Sequence, residues 1–221
     1  MASITEENYL KALFALEGKQ TNVTTTDISK ILHVKLPTVT SMMKKLNEQE
    51  MVNYQKYHPL SLTDKGKKTA ALIVRKHRLC EMFLVKKMNF GWEEVHEIAE
   101  ELEHTNSTVF FEKMDELLEF PEFDPHGSPI PDQNGQITHQ EFYTLNQFKS
   151  GDQVRLIALL DDHSDFLTFL NKREITLGTI IRLLNREPFD NSLIIGYNQH
   201  SRETISETIA QKLIVSTATL R

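Results

Sequence analysis

Only one of the 221 residues is cysteine, Cys80, and only one is tryptophan, Trp92. A single thiol excludes an intramolecular disulfide and any metal cage built from several thiolates. No apolar run reaches the length of a membrane span and no secretory leader opens the chain, so the expectation is a globular protein of the reducing cytoplasm with no membrane partner. Positive charge is missing from one stretch. Between Lys87 and Lys113 there is no Lys or Arg, while Glu93, Glu94, Glu97, Glu100, Glu101, Glu103 and Glu112 accumulate there. Like charges four apart on a helix, such as Glu93 with Glu97 and Glu97 with Glu101, cost roughly 0.2–0.5 kcal/mol each. No basic side chain in the stretch offsets them; a divalent cation would.

The net charge of -6 hides an asymmetry. Residues 1–90 carry 15 Lys and Arg against 8 Asp and Glu, whereas the remainder carries 10 against 23. A basic half joined to an acidic half points to a polyanion at one end and a cationic ligand at the other. The plain alternative is an unevenly charged surface with no ligand.

The expected fold is mainly α with a little β. Ser3-Ile-Thr-Glu6 has capping-box spacing, and apolar residues at helical period predict a first helix to about Glu17. Residues 26–32 read as a short helix, His33-Val34-Lys35 as a tight turn, and Pro37 as the start of a second helix that carries Val39, Met42, Met43 and Leu46 inward. Two short helices across a small turn make a helix-turn-helix, and the alternating segments 51–54 and 60–63 make its wing. Three more helices are expected at about 63–87, 92–104 and 107–118, then strands near 153–160, 178–184, 192–197 and 212–216, with a helical turn at 166–171. The resulting division is a winged helix-turn-helix over 1–64, a helical metal-binding and dimerisation domain over 65–120, a Pro-rich linker over 121–147 and a small SH3-like (FeoA-like) β-barrel over 148–221.

If the apolar face of the second helix is buried, Thr38, Ser41 and Lys45 face outward, with Lys35, Pro37 and Lys44 beside them. Such side chains suit a major groove. Lys56 and Lys67 lie where a wing and the next helix start would meet phosphates. A solvated lysine face is the alternative, and double-stranded operator DNA is the partner this pattern favours.

At about 100° per residue, His96, Glu100, Glu103 and His104 fall within one arc of about 100° on their helix, opposite Val95, Ile98, Ala99 and Leu102. They can converge on an ion, or can simply form the polar side of an amphipathic helix. His77 and Glu81, also four apart, offer a second pair.

The segments RKHRLCE, VHEIAEELEH and GSPIP resemble those of the diphtheria-toxin-repressor and manganese-transport-regulator family of metal-dependent bacterial repressors, and the resemblance covers nearly the whole chain. It implies a regulatory site from Asn8, Glu100, Glu103 and His104. It also implies an adjacent site from His77, Glu81 and His96, completed in longer members by the barrel, here at Asp162 and Asp165. An acidic turn capping a helix is the other reading of those two aspartates. Manganese-type members carry aspartate where this chain has Asn8 and glutamate where it has Lys11, which cannot ligate while charged. Iron-type members carry cysteine where this chain has Glu100. Oxygen donors with imidazoles suit Mn²⁺ first and Fe²⁺ second.

The expected function is therefore a homodimeric repressor of metal-uptake genes, active when its ion is bound, and not an enzyme. A di-metal hydrolase lacks an evident nucleophile or substrate loop. A winged-helix regulator that senses a small molecule or an oxidant through Cys80, without metal, is the alternative.

Overall fold

The computed structural model describes residues 3–137 and 142–217. Positions 138–141 of the expected linker and the last four positions of the expected barrel domain lie outside the described residues. The chain forms two compact units. The first holds the chain up to Cys80, Glu100–Glu122 and the segment from Ile130; the second holds Glu81–Ala99, Phe123–Pro129 and the chain from residue 142 onward.

In the first unit, α1 (Ile4–Glu17) opens with the capping box: Ser3 N donates to Glu6 Oε2 at 2.6 Å and Glu6 N to Ser3 Oγ at 3.3 Å. A second box, Thr24 with Asp27, starts α2 (Thr25–Ile31). His33 adopts a left-handed φ of 51°, and Ser29 Oγ donates to Val34 O at 2.6 Å, closing the turn into α3 (Leu36–Glu48). The wing pairs β1 (Val52–Asn53) with β2 (Ser61–Leu62). Leu10, Leu13, Ile28, Val39, Met43, Leu46, Val52 and Leu62 bury together as the core of this winged helix-turn-helix. The 25-residue α4 (Asp64–Met88) and α6 (Thr108–Leu117), capped by Ser107, follow as expected. Arg75 of α4 donates to Asp115 of α6 at 2.5 Å and to Pro131 O at 2.6 Å. Helix α5 (Val95–Leu102) begins three residues later than expected, because residues 92–94 form a turn.

Glu6 also ties α1 to the end of α3. It is buried and accepts hydrogen bonds from Gln49 at 2.8 Å and from Lys45 at 3.1 Å. The Ser3 backbone N–H is the strongest influence and, with Gln49 and Lys45, outweighs burial to hold the Glu6 carboxyl at about 2, against an ordinary 4.5. A depressed pKa contributes stability that is complete above the unfolded value and disappears as the pH falls through the folded one. Between pH 4.5 and 2 the parent should therefore lose stability more steeply than Glu6→Gln. At pH 7 that variant, which keeps the capping-box spacing but not the charge, should be weaker by about 1–2 kcal/mol, the difference between charge-assisted and neutral hydrogen bonds. Parallel acid-unfolding curves in metal-free buffer check both; curves of equal slope would sink the assignment.

In the second unit, six antiparallel strands run in the order β3, β8, β4, β5, β6, β7. They are β3 (Tyr143–Thr144), β4 (Gln153–Leu159), β5 (Ile180–Arg186), β6 (Leu193–Tyr197), β7 (His200–Ile205) and β8 (Leu213–Thr217), joined by α7 (Ser164–Asn171) and α8 (Glu207–Ala210). Alternate residues Val154, Leu156, Ile181, Leu183, Leu193, Ile195, Leu213 and Val215 fill the interior with Leu167 and Leu170. Trp92 packs against this core and its indole N–H donates to Asn171 Oδ1 at 2.7 Å. The expected linker contains more structure than a spacer. Phe123 bridges Pro129, Asp124 and His126 are buried, and β3 with a 3-10 turn at Leu145–Gln147 already belongs to the sheet region.

Candidate functional site

Among the described residues, metal-ligating side chains gather in each unit, and one constellation in each takes in expected ligands. In the first, fully buried Glu103 is the hub. Its Oε2 accepts from His77 Nδ1 at 2.7 Å, and both its oxygens lie 2.9 Å from the Lys11 ammonium, which also reaches Glu100 Oε1 at 2.5 Å. Burial alone would raise the Glu103 pKa; the His77 hydrogen bond and the Lys11 charge overcome it and leave the carboxyl lowered. His104 Nδ1 is held by Glu7 Oε2 at 2.7 Å, so its Nε2 is left 3.6 Å from Glu103 Oε1. A carboxylate on one ring nitrogen is how metal-binding histidines are usually oriented. Asn8 Oδ1 is buried without a hydrogen-bond partner. An orphaned amide oxygen, an aimed imidazole nitrogen and two carboxylates make a donor set that fits a hard divalent cation.

His77, grouped by the resemblance with Glu81 and His96, thus engages Glu103. One turn on along α4, Glu81 belongs to the second unit. There Glu81 Oε1 lies 3.3 Å from His96 Nδ1, which is 3.9 Å from Asp162 Oδ2. Glu81 Oε2 is 3.7 Å from His126 Nδ1, which has no hydrogen-bond partner. The other nitrogen of His126 donates to Trp92 O at 2.9 Å, and the two rings stack with centroids 6.0 Å apart. Asp124 accepts from the backbone N–H groups of His126 and Ser128 at 2.8 and 2.9 Å. Desolvation pushes the His126 pKa down, yet Glu81, Asp124 and the Trp92 carbonyl raise it to about 9. The three donors Glu81, Asp124 and His126 cluster, as do Glu81, His96 and Asp162. Asp165 does not join either triad; it lines a cavity of about 470 Å³ with His96, Glu97 and Asp162. His126 Nδ1 stands 3.7 Å from a buried carboxylate, and an ion there would take the place of the proton that Glu81 and Asp124 otherwise favour on the ring.

Glu7, Asp124 and His126 were not expected from sequence. The signal available was Asp124-Pro125-His126-Gly127, a short turn with two potential ligands two residues apart.

The DNA-facing set is laid out on α3 and the wing. Lys35, Pro37, Thr38, Ser41 and Lys44 are exposed, as are Lys56 at the wing tip and Lys67 at the start of α4. Lys56 lies over the ring of Tyr57 at 4.7 Å, and Tyr57 is 91% exposed. Lys45 is on the same face but its ammonium is engaged by Glu6.

Family models agree with this layout. The iron dependent repressor N-terminal DNA binding domain matches residues 1–60, its metal binding and dimerisation domain residues 63–132, and the FeoA domain residues 143–217. The iron-dependent repressor IdeR of Mycobacterium leprae is 26% identical over 203 residues, 86% of this chain and 88% of that protein. A solved manganese-dependent transcriptional repressor in complex with manganese is 30% identical, with a TM-score of 0.87 over 96% of this chain and 99% of that one. ScaR with bound Cd²⁺ is 34% identical, with a TM-score of 0.83 over 96% and 99%. With its winged helix-turn-helix, helical metal-binding segment and SH3-like sheet in this order, the chain belongs to the iron-dependent repressor family of metal-dependent transcriptional regulators, which are not enzymes.

Proposed function

We propose that this chain is a cytoplasmic homodimeric repressor that binds a palindromic operator when Mn²⁺ is bound, with Fe²⁺ the alternative ion, and shuts off metal-uptake genes. One observation carries the reading: residues of α1 and of the α5 region share one ligand constellation. Glu7 and Lys11 of α1 meet His104, Glu100 and Glu103, and Asn8, between them on α1, has a buried side-chain oxygen that makes no hydrogen bond. When bound there, a divalent cation supplies positive charge to a buried, carboxylate-rich centre. Asn8, Glu100, Glu103 and His104 would hold it, with Glu7 orienting His104. Glu81, His96, His126, Asp124 and Asp162 would hold a second. Since α1 packs in the winged-helix core, fixing α1 fixes α3 for its groove. The donors are oxygens and imidazoles, and buried Cys80 takes part in neither constellation, which favours Mn²⁺ or Fe²⁺ over softer ions. That burial also weighs against an oxidant sensor. On α6, Val109, Phe110 and Leu117 are exposed, an apolar face suited to a second copy.

The test is a DNA selection from a random pool in Mn²⁺, followed by titration of the selected operator. EDTA should abolish binding, and Mn²⁺ should restore it. Operator binding that survives EDTA removes the reading. On that operator, Ser41→Ala should reduce discrimination against random DNA by about 1–3 kcal/mol, as loss of a base contact does. Lys67→Ala should weaken both DNAs alike and flatten the salt dependence by about one unit of slope. Equal losses on both DNAs for both variants would mean that α3 reads with another face.

A further inference from the structure

Lys11 has an arrangement that neither its family's ligand pattern nor a surface role explains. Its ammonium is largely buried and makes three contacts of 2.5–2.9 Å, one to Glu100 and one to each oxygen of Glu103. The partners stand 89 and 92 residues away in sequence, so this is a tertiary contact that holds α1 to the α5 region. Glu103 is wholly inaccessible to water, and a buried carboxylate needs a counter-charge. The oxygens Lys11 takes are the ones the donor set offers to an ion. Beside them stands His104 Nε2, aimed by Glu7, and on the same helix as Lys11 the buried Asn8 Oδ1 makes no hydrogen bond.

We propose that Lys11 is a tethered competitor for the metal: its ammonium neutralises Glu100 and Glu103 and docks α1 provisionally, and it must leave those oxygens for a divalent ion to take them, which sets the concentration at which the repressor responds. The inference rests on the metal-dependent reading above. An ammonium has three N–H groups, and here all three are spent on Glu100 and the two oxygens of Glu103, so none is left for Asn8 Oδ1 or His104 Nε2; an ion that accepts lone pairs can use all four residues. Lys11 is thus a positioning residue with two opposed effects. It keeps the empty centre from flying apart by repulsion between carboxylates, and it lowers the affinity of that centre for a cation through a like charge a few ångströms away.

A merely structural lysine and a competing one predict opposite signs. Lys11→Met, which keeps length and removes charge, should bind Mn²⁺ at one site roughly tenfold to a hundredfold more tightly than the parent full-length chain, with unchanged stoichiometry, and Lys11→Arg should stay near the parent value. Calorimetric titration with Mn²⁺ and the paramagnetic resonance of free Mn²⁺ both read this. Without metal, the backbone amides of α1 should exchange faster in Lys11→Met, and Mn²⁺ should restore their protection. A second reading needs no substitution. In the parent chain, the ¹⁵N signal of the Lys11 side chain should leave its ion-paired position when diamagnetic Zn²⁺ is added. Equal or weaker Mn²⁺ binding by Lys11→Met, or a Lys11 signal unmoved at saturating Zn²⁺, overturns the proposal while leaving metal-dependent repression intact. A parent chain that binds no Mn²⁺ overturns both.

Discussion

Glu103→Gln is expected to abolish the gain in operator affinity that Mn²⁺ confers, a loss on the order of 100-fold, near the upper end of usual coupling between an effector and a distant site. The carboxylate is the hub of the first constellation, touching His77 and Lys11 and facing His104. An amide of the same size keeps one acceptor oxygen but removes the charge, so it neither balances Lys11 nor draws a cation. The substitution also perturbs a buried group, at a cost of about 1–3 kcal/mol for the contacts left imperfectly satisfied. Because Lys11 retains Glu100 as a partner, the winged-helix core should stay folded. The measurement is fluorescence anisotropy on the selected operator with and without Mn²⁺, paired with thermal melting of the same preparation. A variant that melts like the parent and still gains the parent's full affinity from Mn²⁺ would place the gating elsewhere, with the constellation around Glu81 the next candidate.

Local chemistry made much of this fold legible. Ser3 with Glu6 and Ser107 begin helices as their spacing predicts, and the apolar period of α3 leaves Thr38 and Ser41 outside. The strand β7 escaped because His-Ser-Arg-Glu-Thr-Ile is polar at an edge, with only Ile205 fully buried, so no alternation betrays it. The prolines from 121 onward read as a spacer since proline breaks periodicity; the actual turn is held by side chains reaching across the chain, as His126 does to Trp92. The candidate sites divide in the same way. His96, Glu100, Glu103 and His104 recur at helical spacing and could be seen on that ground, although α5 ends at Leu102 and leaves Glu103 and His104 in the turn that follows it. Glu7 orienting His104 across 97 residues, and His126 facing Glu81, depend on tertiary approach that no local spacing encodes.

Gly127→Ala should disable the second constellation without touching a ligand. Gly127 has φ +85°, and a Cβ there would sit 2.3 Å from Ile157 O, 2.6 Å from Ala158 Cα and 2.7 Å from Ala158 Cβ. Two of those neighbours are backbone atoms near the bulge in β4, so a small rotamer shift cannot relieve the clash. Left-handed strain and overpacking together amount to about 2–6 kcal/mol. The obvious response is for the turn to lift from β4, which breaks the hydrogen bond from Leu159 N to His126 O and carries His126 away from Glu81. Gly151→Ala is the control. Its φ of +98° is equally left-handed, but nothing lies within 4 Å of the added methyl, so it reports strain without a clash. Gly127→Ala should bind one Mn²⁺ fewer per chain than the parent, matching His126→Ala, whereas Gly151→Ala should keep the parent stoichiometry and lose only about 1–3 kcal/mol of stability. Metal analysis after equilibrium dialysis, together with denaturant unfolding, separates the two effects. If Gly127→Ala is destabilised yet retains every ion, the turn is structural and His126 is a buried partner of Glu81, not a ligand; if it loses the ion while His126→Ala keeps it, the site depends on the turn through Asp124 instead.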